Sequence, residues 1–184
     1  MSIRDRAVLI RITEEMRQLA RDRCKNQPVK PQLERGGENY RGALGVILVE
    51  KFLDNKNVLY VDTFDNDLLV NNIKLEVKEE TMSVDYPEDS FSFDIVNRPY
   101  KQKCDYVAMT VINKFETFGY VLGFLPAEEA FDPKRIIEKG FVNPRNGKKM
   151  LRSNYHIGFS EIGDPKGYKK IFLDGGEPLK WDKQ

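Results

Sequence analysis

The sequence is poor in the residues on which histidine- and cysteine-based active sites depend. Its 184 residues include one histidine, His156, and two cysteines, Cys24 and Cys104. This is too few for a Cys/His zinc site, and a Ser–His–Asp or Cys–His system would have to rest on His156 alone. A lone histidine between aromatic and apolar neighbours is more often structural. If the chain is an enzyme, carboxylates are therefore the working groups we expect.

Long apolar runs and a cysteine framework are also missing. No stretch approaches the roughly 20 apolar residues that a membrane-spanning helix needs. Residues 1–23 are charged throughout and lack the pattern of a signal peptide. Two cysteines outside any Cys-x-x-Cys cannot form a disulfide framework, which favours a reducing compartment. We therefore expect a soluble cytoplasmic protein that does not enter a membrane.

The net charge of +1 conceals an uneven distribution along the chain. Residues 1–40 sum to +3, residues 41–133 to −8 and residues 134–184 to +6. An acidic centre between basic ends would suit a cation site beside a surface that binds a polyanion. An uneven but inert surface would give the same distribution, so charge alone leaves both interpretations open.

Hydrophobic spacing predicts an α/β fold with a central mixed sheet flanked by helices. Helical periodicity predicts a helix over residues 2–25, and an almost entirely apolar second helix over residues 40–53 is expected to be buried. Short apolar runs bounded by turn residues predict five strands. These strands lie at residues 58–61, 67–70, 73–78, 106–112 and 120–125, with an irregular or helical crossover before the fourth. Pro126 is well placed to open a short helix.

These elements predict a single domain over residues 1–184. An N-terminal helix and loop occupy residues 1–37, a core occupies residues 38–132, and a basic C-terminal extension occupies residues 133–184. No internal repeat or low-complexity tract interrupts this order. The chain is long enough for one domain with a substantial apolar core.

The segment from residue 67 to residue 78 carries the clearest chemical pattern. Asn71-Asn72 suits a two-residue hairpin turn because asparagine tolerates positive φ. This turn would set Asp67 directly opposite Glu76, with Cβ atoms about 4.5–5.5 Å apart. Alternation puts two lysines on the same face, Lys74 and Lys78. The other face would be wholly apolar, with Leu68, Val70, Ile73, Leu75 and Val77. A one-residue slip would destroy this division, which supports the register.

Two carboxylates held this close repel one another unless a cation lies between them. Mg²⁺ prefers oxygen ligands, commonly one or two carboxylates with waters and phosphate oxygens. We therefore expect Asp67 and Glu76 to bind Mg²⁺ or Mn²⁺, with the Val77 carbonyl as a third ligand. Lys78 would orient or help deprotonate an attacking water and offset transition-state charge. A solvated strand pair would carry the same side chains, so the hairpin alone leaves that alternative open.

Taken together, these residues resemble the signature of the PD-(D/E)xK nuclease superfamily, which has the restriction-endonuclease-like fold. That signature is an acid, a short strand, a tight turn and an apolar strand that ends in Glu-x-Lys. Here it reads Asp67-Leu-Leu-Val-Asn-Asn-Ile-Lys-Leu-Glu76-Val-Lys78. The resemblance covers about residues 38–125 and includes the order of the elements. It implies a restriction-endonuclease-like core, Asp67 and Glu76 as metal ligands, and Lys78 as the catalytic lysine.

Two positions depart from the family pattern. Asn66, and not proline, precedes the first acid. Many relatives carry a glutamate directly after a glycine of the preceding helix, whereas here Gly45 is followed by Val46. Glu50 lies one turn later on the same helix face and is our substitute as catalytic residue and metal ligand. Glu38 is the second candidate for that position.

The residues and the resemblance together predict a metal-dependent nuclease that hydrolyses DNA phosphodiester bonds. We expect an endonuclease, either a restriction enzyme, a junction resolvase or a phage recombination nuclease. RNA stays open as a substrate, and a homodimer would supply the two sites needed to cut both strands of a duplex. Basic residues of the tail are the expected phosphate contacts, because Gly and Asn in its loops allow close backbone approach. They are Arg145, Lys148, Lys149, Lys166, Lys169 and Lys170.

Two other functions compete with this prediction. The first is a catalytically silent nucleic-acid-binding protein or subunit on the same fold. The second is a protein-interaction module whose acidic middle binds a basic partner. Metal-dependent cutting separates the nuclease from both.

Overall fold

A six-stranded mixed sheet forms the centre of the fold. The computed structural model describes residues 1–26, 36–63, 65–98, 102–143, 147 and 149–174, with the backbone only for residues 26 and 36–39. In chain order the elements are α1 (Ile3–Arg6), β1 (Val8–Arg11), α2 (Glu14–Asn26), α3 (Gly36–Leu53), β2 (Val58–Tyr60), β3 (Leu68–Val70), β4 (Ile73–Met82), β5 (Ser92–Val96), β6 (Tyr106–Asn113), β7 (Phe118–Pro126), α4 (Ala127–Ala130), β8 (Ile136–Ile137), β9 (Asn154–Gly158) and α5 (Pro165–Asp174). The main sheet has the order β1-β7-β6-β4-β3-β2, in which only β4 and β6 are parallel. The predicted α/β class with a central mixed sheet is confirmed.

Helices α2, α3 and α5 cover one face of this sheet. The predicted buried helix is confirmed as α3, which is apolar on most sides because it lies between the sheet and α2. Helix α5 adds Tyr168 and Phe172, whose rings pack against Phe124 of β7 at centroid distances of 5.8 and 4.9 Å. None of the helices in the described ranges combines the length and apolar character needed to cross a bilayer.

The other face is covered mainly by a second sheet, where we had expected helices. This sheet has the order β5-β9-β8, and β5 pairs antiparallel with β9. The crossover from β4 to β6 is therefore built around a strand, because Phe93 and Ile95 alternate with polar residues and face the core. The partner strand β9 comes from the C-terminal segment that the sequence analysis treated as a basic extension.

The continuous helix predicted over residues 2–25 is wrong. The segment Val8–Arg11 is a strand that pairs antiparallel with β7 and forms one edge of the main sheet. Beyond the short helix α1, helical spacing holds in α2, which buries Met16 and Ala20 against the core beside Ile12. The Thr13 hydroxyl oxygen accepts a hydrogen bond from the Met16 amide at 3.3 Å, which separates the strand from the helix.

The register of the β3–β4 hairpin agrees with the prediction. Val70 pairs with Ile73, and Leu68 pairs with Leu75. Asn71 and Asn72 have φ values of 48° and 69°, the left-handed conformation that a two-residue hairpin turn requires. The Asn71 amide group also donates to the Phe172 carbonyl at 2.9 Å, which ties the turn to α5.

A half-buried acid, Glu79, lies where α3 approaches the sheet closely. A Cβ at Gly45 would lie 3.0 Å from the Glu79 Cβ and 2.8 Å from the Thr110 hydroxyl oxygen, so glycine permits this approach. The Glu79 Oε1 atom is buried without a hydrogen-bond partner among the described residues. Burial raises the pKa of Glu79 to about 7, against the opposing attraction of the Arg41 guanidinium.

Candidate active site

The candidate site lies at the start of β3, where β4 continues beyond their pairing. β3 begins at Leu68, so Asp67 stands just outside it, and its amide donates to the Leu75 carbonyl at 2.9 Å. The Asp67 Oδ2 atom accepts a hydrogen bond from the Val77 amide at 2.8 Å. Because the amide and carbonyl of one strand residue point to the same neighbour, the Val77 carbonyl also points toward the side occupied by Asp67.

Glu76 and Lys78 lie together on the sheet face opposite α3. The Glu76 residue is only 5% exposed, and its carboxylate forms an ion pair with the Lys78 ammonium. Lys78 also donates to the Gln102 Oε1 atom at 3.1 Å. A buried carboxylate is costly without a cation, so Glu76 depends on the positive charge beside it. The structure brings Lys78 and both predicted hairpin acids to one end of the hairpin.

The segment at residues 102–105 flanks the hairpin, and the sequence analysis did not assign it to the site. The Lys103 amide donates to Asp65 Oδ1 at 3.0 Å, and the Lys74 amide donates to Asp105 Oδ2 at 2.7 Å. The bond from Lys74 follows from the parallel pairing of β6 with β4, which sets the residues just before β6 beside the start of β4. This long-range pairing places the segment beside the hairpin, and the local sequence pattern does not reveal it.

Cys104 shows how closely this segment approaches the site. The pKa of the Cys104 thiol is raised to about 12, mainly by burial and also by the nearby Glu76 carboxylate, while Lys78 opposes the rise. Cys104 is therefore a poor nucleophile and acts as a small apolar wall beside Glu76.

Two depressions lie near the candidate site, and the first of them adjoins Lys78. The first, which we call the site cavity, has a volume of about 200 Å³ and extends from Lys78 and Gln102 to β5 and Tyr155. The second, the outer groove, has a volume of about 700 Å³ and is bordered by Lys149 and Arg152. Both share Glu80 and Asp94 as wall residues, so they are neighbours.

His156, the single histidine, belongs to the second sheet. Its Nδ1 atom lies 2.8 Å from the Asp94 Oδ1 atom, and the two residues are directly paired across β5 and β9. The pair joins the two strands on the face of the second sheet that is turned away from Phe93 and Ile157.

Glu50 is not brought to the hairpin. Its two carboxylate oxygens accept hydrogen bonds from the Arg23 guanidinium at 2.8 and 3.0 Å, joining α3 to α2. Arg23 in turn stacks 3.8 Å from the centre of the Tyr60 ring. The prediction that Glu50 takes the place of the missing helix glutamate therefore has no geometric support. This half-buried carboxylate already forms an ion pair with a positively charged partner. The side chain of Glu38 lies outside the described residues.

We expect Glu50→Ala to lower the free energy of unfolding by about 2 kcal/mol, because it leaves the Arg23 charge without its bidentate partner. Urea unfolding measures this loss. The matched control is Glu14→Ala on the exposed side of α2, which should change stability less. Glu50→Ala should leave any thermal shift with Mn²⁺ unchanged, and the loss of such a shift would return Glu50 to the predicted metal site.

The predicted phosphate contacts fall into three groups. Arg145 and Lys148 lie outside the described residues. Lys149 is exposed at the outer groove. The others are on α5, which packs on the α3 side of the sheet, away from Glu76 and Lys78: Lys166, Lys169 and Lys170.

Lys169 is also committed elsewhere. Its ammonium donates to the Phe52 carbonyl at 2.6 Å and lies 5.2 Å from the centre of the Phe52 ring. A cation bonded to a carbonyl in the last turn of α3 caps that helix. Lys169 therefore has a structural contact at the end of α3, while Lys166 and Lys170 are exposed, and the predicted phosphate contacts at these lysines stay predictions.

Comparison with known proteins does not assign the chain to a family. No family model matches the sequence, and no curated protein is significantly similar to it. A functional assignment must therefore rest on the residues and distances given above.

Proposed function

We propose that this protein is a metal-dependent nuclease of the PD-(D/E)xK type that hydrolyses DNA phosphodiester bonds. The observation that carries the proposal is the Glu76–Lys78 pair, held at the end of a hairpin beside Asp67. The order of a buried helix, three strands, a crossover, a parallel strand and an antiparallel strand agrees with what the resemblance implies.

The donor atoms at this end of the hairpin suit a hard divalent cation. Asp67 and Glu76 supply carboxylate oxygens, and the Val77 carbonyl points to the same side. Mg²⁺ keeps several waters and is commonly held by one or two carboxylates, so no larger cluster is required. The described residues contain no group of three or more His, Cys, Asp or Glu side chains that could hold a metal ion. The metal, when bound, would polarise the phosphate and lower the pKa of an attacking water.

Lys78 is positioned by two acceptors of different kinds. Glu76 carries a charge that a bound cation would share, whereas the Gln102 Oε1 atom at 3.1 Å offers a neutral acceptor. Gln102 can therefore hold the ammonium group in place whether or not Glu76 also binds a metal. An ammonium group fixed beside the scissile phosphate would stabilise the negative charge that develops in the transition state.

The outer groove is the best candidate for further phosphate contacts. It shares the wall residues Glu80 and Asp94 with the site cavity, and Lys149 and Arg152 border it. Lys166 and Lys170 lie on the opposite side of the sheet and would need a second path for the nucleic acid. We therefore propose Lys149 and Arg152 as contacts to the strand that is cut.

The test is cleavage of plasmid, branched, single-stranded and RNA substrates with Mg²⁺, Mn²⁺ or EDTA. We expect cutting that requires metal and is lost in Glu76→Gln, because the amide cannot replace the carboxylate as a metal ligand. Binding without cutting under every metal would favour a silent nucleic-acid-binding protein. The absence of both nucleic-acid binding at low salt and a thermal shift with Mn²⁺ would favour a protein-interaction module.

A further inference from the structure

The site cavity lies directly beside Lys78, between the two sheets. The side chains from the second sheet and its surroundings are mainly apolar or aromatic, and the rim is polar. The apolar walls are Phe93, Ile95, Val96, Phe131 and Tyr155, and the polar rim includes Asp94, Arg98 and Gln102. Phe131 and Tyr155 meet edge to face at 5.5 Å, so this wall is held rigidly.

The size of the cavity limits its ligand. A volume of about 200 Å³ is below the roughly 300–1,000 Å³ of sites for drug-sized molecules. At about 30 Å³ of liquid volume per water, it corresponds to roughly six or seven waters. This is room for one small ring system and not for a base pair or a side chain together with its backbone.

The chemistry of the rim suits a flat heterocycle with both donors and acceptors on its edge. The Gln102 amide offers both kinds of group, and Arg98 offers donors. Apolar walls with a few polar groups at the edge are how proteins hold a nucleobase that has left its stack. The same Gln102 contacts Lys78, so a base in the cavity would be attached to a phosphate close to the proposed reaction centre.

We infer that the site cavity binds one unpaired nucleobase of the strand that is cut. This inference rests on the proposed function and names its substrate class: single strands, frayed ends, flaps or branches that present an unpaired base. A fully paired base must first unstack, which costs free energy, so a continuous blunt duplex is the poorer substrate.

The experiment uses the full chain carrying Lys78→Met, in Ca²⁺, with short oligonucleotides that contain 2-aminopurine at successive positions. We expect a fluorescence change at one position, and an abasic residue at that position should weaken binding about 5- to 100-fold, the range of one base–aromatic stack. Val96→Phe, which fills the cavity, should weaken binding similarly. The control is Leu59→Phe on the exposed edge strand β2, which should leave binding unchanged.

Three outcomes would overturn the inference. Equal affinity for intact and abasic strands would show that no base is held. Equal affinity for blunt duplex and single strand, with no fluorescence change, would contradict the substrate class. If a free nucleoside monophosphate binds as tightly as the oligonucleotide, the ligand is a single nucleotide and not a nucleic-acid strand. The comparison of intact and abasic strands uses the same protein, so it tests the inference even if Val96→Phe fails to fold. Base insertion without cleavage by the unsubstituted chain would reject the nuclease while retaining the cavity.

Discussion

Lys78→Met is expected to reduce metal-dependent cleavage by about 10²–10³-fold, the usual effect of removing one preorganised group that stabilises transition-state charge. Methionine keeps the length and apolar character of the lysine stem but not its ammonium group. Binding of DNA in Ca²⁺ should change little, because a single point charge contributes modestly to contacts with a polyanion. The effect should therefore appear in kcat and not in KM.

The control for this variant is Lys74→Met on the same strand and face. Lys74 is exposed, so its loss removes one surface charge without touching the Glu76 pair. Single-turnover cleavage of a labelled substrate compares the two variants, and titration by fluorescence anisotropy gives their affinities. Equal losses in both variants would show that charge near the hairpin matters only for binding. Full activity in Lys78→Met would remove lysine from the mechanism.

Glu79→Gln is expected to stabilise the protein at pH 8 and to have little effect near pH 4.5. The raised pKa of about 7 means that folding favours the protonated acid. Protonated Glu79 therefore contributes stability to the native state that is fully present below the unfolded-state pKa of 4.5. This contribution is lost as the pH rises through 7. A shift from 4.5 to about 7 corresponds to a loss of about 3 kcal/mol. Glutamine does not titrate and should avoid that loss.

Urea unfolding at pH 5 and pH 8 measures this difference. Glu129→Gln on the exposed surface of α4 is the control for removing a carboxylate without burial. We expect the two glutamine variants to behave alike near pH 5 and to diverge by about 1–3 kcal/mol at pH 8. A gain in Glu79→Gln that is the same at both pH values would contradict the assignment of the raised pKa to burial.

The hairpin could be predicted from the sequence because its determinants are local. The turn needs only Asn71 and Asn72 in a conformation that asparagine tolerates, and alternation then fixes which face Glu76 and Lys78 share. The buried helix α3 is equally local, since an apolar surface on most sides requires burial. These features depend on residues a few positions apart in the chain.

The features that escaped prediction depend on distant partners. Val8–Arg11 becomes a strand because β7, more than a hundred residues later, offers an edge to pair with. Gln102 reaches Lys78 only through the parallel register of β4 and β6. Glu50 was assigned from its position on one helix, whereas Arg23 on another helix decides its role. Long-range pairing leaves little trace in local periodicity, so none of these could be read from spacing alone.

The pairing of β5 with β9 sets the order in which a ribosome can complete the site cavity. Phe93 pairs with Ile157, so 64 residues must be translated after the first strand before its partner emerges. At roughly 5–20 residues per second, this takes about 3–13 s. The hairpin with Glu76 and Lys78 leaves the ribosome early, but Tyr155 and the second sheet arrive late. A nascent chain therefore carries the Glu76–Lys78 pair for seconds before the walls of the site cavity are complete.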